Sequence, residues 1–169
     1  HGGEPMIPGI KFYEKVIKLQ EQYRGDAKIL NSIQTNGVLI NEKWLKFLKQ
    51  HQFNISISID GTKELHDRFR LDLRGRGTFD RVIKAIDLCL EHDLPPGACV
   101  VISRANIDHV EEIYQFLAEK RIGFNIIPLC RSGAARENYD DLGLDSKEYG
   151  DAWILSLIHI SEPTRPVPI

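Results

Sequence analysis

The chain has few cysteines, no long apolar run and no strong charge of either sign. Its three cysteines, Cys89, Cys99 and Cys130, are odd in number among 169 residues and lie far apart. That pattern gives neither a disulfide framework nor the close ligand pairs of a metal site. No apolar stretch approaches the ~20 residues needed to cross a bilayer. A formal net charge of −2 and a pI near 6.3 provide no basic field to release counterions from nucleic acid. Membrane and nucleic acid are therefore poor partners. Unpaired thiols without a visible secretory leader make a reducing cytoplasm the expected compartment.

What is present is ordinary globular material, 42% hydrophobic and 27% charged, in a length suited to one domain. Phe12, Val16, Leu19 and Tyr23 recur at helical spacing. Residues 28–34 then read as a strand that ends at Thr35-Asn36-Gly37. Asn41 is placed to cap a helix carrying Trp44, Leu45, Phe47 and Leu48. From Asn54 to Ile59, isoleucines alternate with serines, the period-two pattern of a half-buried strand.

After a polar loop holding Arg68, Arg70, Arg74 and Arg76, Thr78 is expected to cap a helix with an apolar stripe of Phe79, Val82, Ile83, Ile86 and Leu90. Pro95-Pro96-Gly97 stops it before a buried strand over residues 98–102. Asp108 to Glu111 reads as a capping box for a helix through Leu117, and Phe124 to Ile127 as a further strand closed by Pro128. Strictly alternating helices and strands, joined by right-handed crossovers, imply a parallel sheet with helices packed on it. The expected fold is α/β, a partial (β/α) barrel, with a doubly wound open sheet as the second choice.

In such folds the chemistry gathers at the carboxyl ends of the strands. Three of those ends carry small and polar residues: His1-Gly2-Gly3-Glu4-Pro5, Gln34-Thr35-Asn36-Gly37 and Ser58-Ile59-Asp60-Gly61. With His66-Asp67 and Arg70 following, these motifs in this order resemble radical S-adenosylmethionine (radical SAM) enzymes, and within them the anaerobic sulfatase-maturating enzymes and related SPASM-domain peptide maturases. The likeness covers residues 1–118 and continues more weakly to Leu129.

The resemblance implies that Gly2, Gly3 and Glu4 hold the methionine amino group of S-adenosylmethionine, mainly through backbone that a missing Cβ lets approach closely. It implies that Ser58 and Asp60 bind the ribose hydroxyls and that Arg70 pairs with the methionine carboxylate, a bond suited to a planar guanidinium. Leu129 falls at the adenine-packing position. Gln34, Thr35 and Asn36 would line the barrel mouth against cofactor or peptide, although local turn bonds account for Thr35 and Asn36 nearly as well. For Arg68, Arg74 and Arg76 a solvated loop is the expectation, for His66-Asp67 a helix start, and for Cys89 and Cys99 a buried small hydrophobe.

The implied activity is oxidation of a peptide residue after reductive cleavage of S-adenosylmethionine, most simply cysteine or serine to formylglycine in a sulfatase. A [4Fe–4S] cluster and an electron donor such as flavodoxin or ferredoxin would serve it. The family's Cys-x3-Cys-x2-Cys loop does not occur in these residues, and the three cysteines present cannot replace it. The catalytic base is likewise unassigned. The expectation is a fragment, inactive alone, with a partial barrel over residues 1–154. Residues 155–169 resemble a translated sequencing adapter. A ribosomal-peptide maturase forming thioether or carbon–carbon crosslinks is the nearest alternative. A non-catalytic peptide-binding relic and a sugar-phosphate barrel enzyme belong to other classes.

Overall fold

Alternating isoleucines decide the sheet. In the computed structural model, which describes residues 3–133 and 135–161 with side chains as far as Ile154, Ile33, Ile55, Ile57, Ile59, Ala98, Val100, Ile102 and Ile126 are all buried on one face. They belong to β1 (Ser32–Thr35), β2 (Asn54–Ser58), β3 (Gly97–Ile102) and β4 (Phe124–Pro128), or directly follow one of them. The four strands pair in the order β1-β2-β3-β4, all parallel, with Gln34 beside Ser56, Ser58 beside Cys99 and Cys99 beside Asn125. A doubly wound sheet would reverse its order at a switch point. Uniform winding in one direction makes this a partial (β/α) barrel.

Helices α1 (Ile10–Tyr23), α2 (Glu42–Gln50), α3 (Lys63–His66), α4 (Phe79–Glu91), α5 (Val110–Glu119), α6 (Ala135–Leu142) and α7 (Ser146–Ser161) join and follow the strands. Leu48 of α2, Val82 and Ile86 of α4, and Ile113 and Leu117 of α5 fill the space over the isoleucine face. Each buried aliphatic side chain of this size contributes about 1.5–3 kcal/mol. On the other face stand Ser56, Ser58 and Cys99 with Val101 and Ile127, so the inside of the barrel is polar at β2 and mixed at β3 and β4.

Sequence reading and structure differ at several boundaries. Residues 28–31 are irregular and β1 starts only at Ser32, because the strand is as long as its pairing with β2 from Asn54 onward. Asn41 caps α2 as expected, its side chain accepting from Lys43 N and Trp44 N. Thr78 does not cap α4: its hydroxyl is spent elsewhere, and Asp67 accepts the Phe79 N–H instead at 2.8 Å. Asp108 makes no cap, because the chain enters α5 through a 3-10 turn over Ile107–His109. His1, Gly2 and residues 162–169 lie outside the described residues.

Candidate functional site

Strand ends β2, β3 and β4 surround a cavity of about 460 Å³, within the range that takes a small-molecule cofactor. Asp60, Arg68 and Arg70 supply its charged groups, while Leu65, Phe69, Leu129 and Leu142 supply apolar wall. Three residues expected at a cofactor site, Asp60, Arg70 and Leu129, thus meet in one place.

Asp60 and Arg70 form a two-bond fork. Arg70 Nε donates to Asp60 Oδ2 at 2.6 Å and Nη2 donates to Oδ1 at 3.0 Å. Val101 N also donates to Oδ1 at 3.0 Å, tying the carboxylate of β2's end to β3. Both side chains are largely shielded, at 26% and 10% exposure for arginine and aspartate. An ion pair this deep holds its geometry because separating it would leave an uncompensated charge. The fork uses Nε and Nη2 of Arg70.

Gly61 makes the turn out of this strand end. It sits at φ +105°, and a Cβ there would come 2.7 Å from Ile113 Cγ1, so both backbone and space require glycine. The turn leads into α3, where His66 is wholly buried. Its Nδ1 accepts from Asp60 N at 3.4 Å and its Nε2 lies 2.9 Å from Thr78 Oγ1. Burial holds His66 neutral, its pKa lowered to about 4.

A second cluster gathers at the end of β1. Glu4 Oε1 accepts from Thr35 Oγ1 at 2.7 Å and Met6 N at 3.0 Å, and Oε2 accepts from Asn36 N at 2.8 Å. Thr35 Oγ1 also accepts from Gly37 N, and Asn36 Oδ1 from Val38 N. Thr35 is buried and bound into turn and anchor together. Gly3 is exposed and in the left-handed region at φ +54°. Thr35 and Asn36 therefore engage Glu4, whereas Gln34, on the opposite face of β1, is hydrogen-bonded to Cys99; none of the three lines the cavity. Ser58 stands half-buried on the inner face beside Cys99 and does not line the cavity either.

Several cavity residues were missed from sequence. Arg68, expected in a solvated loop, lines the cavity and donates from Nη1 to Ala105 O at 3.3 Å. The Ser103, Ala105 and Asn106 loop follows β3, and the strand-end rule applied there would have found it. Asn106 braces this loop by accepting from Ser103 N and donating to Val101 O. Arg104 fastens it to the far wall, bonding Glu148 through two nitrogens at 2.7 and 2.9 Å and Gly143 O through Nε at 3.0 Å. The α6 face with Asn138 and Leu142 is thereby held over the cavity.

Arg74 and Arg76 do serve the exposed loop: the Asp72 carboxylate accepts both backbone N–H groups and the Arg76 guanidinium. Those bonds hold the Asp72 carboxyl well below the usual range. Cys89 and Cys99 are buried, and Cys130 is exposed. Burial pushes the Cys89 thiol up to about 12. Among the described residues no group of three or more His, Cys, Asp or Glu side chains is placed to hold a metal ion. These residues therefore do not fit an iron–sulfur cluster, whereas the cavity combines the Asp60–Arg70 ion pair, the Arg68 side chain and apolar walls.

Residues 1–117 match the Radical SAM superfamily. The cysteine-type anaerobic sulfatase-maturating enzyme of Clostridium perfringens (strain 13 / Type A) is 38% identical over 124 residues, 73% of this chain and 34% of that protein. The serine-type enzyme of Klebsiella aerogenes is 38% identical over 141 residues, 82% of this chain and 35% of that protein. A solved structure of native anSMEcpe with bound AdoMet and Kp18Cys peptide superposes with a TM-score of 0.81 at 31% identity, covering 98% of this chain and 47% of that one. The chain spans about a third of the length of these curated relatives. With the matched region extending over more than half of its residues, the chain belongs to the radical SAM superfamily.

Proposed function

We propose that this chain forms the S-adenosylmethionine-binding part of a radical SAM enzyme that oxidises a cysteine or serine of a sulfatase to formylglycine. One observation carries the reading: Asp60, Arg70 and Leu129 line a single cavity at the strand ends. Relatives of both the cysteine and the serine type support the substrate class.

In this reading the Nη1 edge of Arg70 receives the methionine carboxylate while its other edge stays on Asp60. The remaining lone pair of Asp60 takes a ribose hydroxyl, and Leu129 packs on adenine; Ser58, outside the cavity on the inner face, is left without a direct part. Gly2, Gly3 and Glu4 offer backbone to the amino group. The Glu4 side chain is already occupied by β1, so its part there is to fix that backbone. Gln34 and Asn36 face the peptide. A [4Fe–4S] cluster would be held by residues other than those described and would supply the reducing chemistry, with a flavodoxin or ferredoxin in the cytoplasm as electron donor. No helix among the described residues is long and apolar enough to cross a membrane.

Saturation-transfer NMR with S-adenosylmethionine tests the assignment, since it reads weak binding directly. Transfer to adenine and methionine protons that weakens in Arg70→Lys and Leu129→Ala is the expected result. Equal transfer in wild type and both variants would overturn it.

A further inference from the structure

The buried imidazole of His66 joins two groups that lie ten residues apart. A backbone N–H can only donate, so the Asp60 N–H at 3.4 Å requires Nδ1 to be unprotonated. The ring proton therefore sits on Nε2 and is donated to Thr78 Oγ1 at 2.9 Å. Thr78 in turn donates its hydroxyl proton to the Arg70 carbonyl at 2.9 Å, which also accepts the Thr78 N–H at 3.1 Å. Three hydrogen bonds thus run in one direction from the backbone of Asp60 to the backbone of Arg70. These two residues share the cavity's ion pair.

An apolar residue would fill the same space beside Phe79, whose ring lies 5.8 Å away edge to face. A fully buried imidazole costs free energy unless both nitrogens are satisfied, and here both are. It fixes one end of the fork at Asp60 and the other at Arg70. We infer that His66 and Thr78 are positioning residues that set the orientation of the Asp60–Arg70 pair toward the cavity. The inference rests on the cofactor reading given above only for what the pair binds.

The relay itself can be read without ligand. Histidine 15N spectra of the whole chain should show His66 as the Nε2–H tautomer. The Arg70 Nε–H should give a sharp, slowly exchanging signal. Thr78→Val keeps the volume and removes the hydroxyl, and Thr78→Ser restores it. The Arg70 signal should broaden in the valine variant and return in the serine variant. Affinity for S-adenosylmethionine should fall about tenfold and recover in parallel, the effect of roughly one hydrogen bond. A merely structural role would lower the melting temperature of Thr78→Val and leave both the Arg70 signal and affinity unchanged; that result overturns the inference. So does a Nδ1–H tautomer at His66. Unaltered affinity in Arg70→Lys would instead overturn the cofactor reading, while the tautomer and the Arg70 signal still decide the relay.

Discussion

Glu4 and Thr35, 31 residues apart, are joined by a 2.7 Å hydrogen bond in which the threonine hydroxyl donates to the carboxylate. Through the same carboxylate Met6 N and Asn36 N are also satisfied, so one side chain ties the segment before α1 to the end of β1. Glu4→Gln would turn an amide N–H₂ toward one of these donors. The loss expected is about 1–3 kcal/mol, the cost of an unsatisfied polar group. Denaturant unfolding would measure it as a lower midpoint with an unchanged slope.

Gly77 faces Asp67 so closely that even a methyl group at residue 77 would overlap the aspartate carboxylate. That carboxylate accepts Phe79 N and so starts α4. Gly77→Ala should therefore lose this cap as well as incur overlap, destabilising by about 1–3 kcal/mol. Combining it with Asp67→Ala, which removes the clash, should cost less than the sum of the two single changes, as a double-mutant cycle would show.

His66 makes stability depend on acid. Burial lowers its pKa to about 4; Asp60 and Asp67 oppose that, and Arg70 and Lys63 assist it. The unfolded chain takes up the proton near pH 6.5 while the folded chain does not. Stability is therefore lost as pH falls from about 6.5 to about 4, by an amount on the order of 3 kcal/mol, and this contribution levels off below. Unfolding titrations of His66→Phe should lack this slope. An identical pH profile in that variant would remove His66 as its source.

Thiol chemistry should separate the three cysteines. Cys130 is exposed, whereas Cys89 and Cys99 are buried and burial raises both thiols. An aromatic disulfide reagent should label one thiol quickly in the native chain and the other two only on unfolding. Rapid native labelling of Cys99 would show that the polar inner face opens readily.

Periodicity made the sheet legible, because each buried strand shows its isoleucines or valines at the right spacing. Asp60, Arg70 and Leu129 were legible as one site only through the family resemblance, and the cavity brings the three together. Caps were harder to read. Thr78 looks like a cap by position, yet its hydroxyl is engaged by His66 and Arg70, and Asp67, 12 residues before Phe79, caps the helix in its place. Local propensity cannot show such an exchange, since it depends on a loop folding back on itself. Arg68 was missed for the same reason: its partner, the Ala105 carbonyl, lies 37 residues further on.

The strand order has a consequence for how the chain is assembled. Each strand pairs with the strand next to it in sequence, so no strand must wait for a distant partner. Loop-closure entropy is then met in small successive steps. During synthesis, each new helix and strand emerging from the ribosome finds its docking edge already made, and the sheet can grow in the direction of translation.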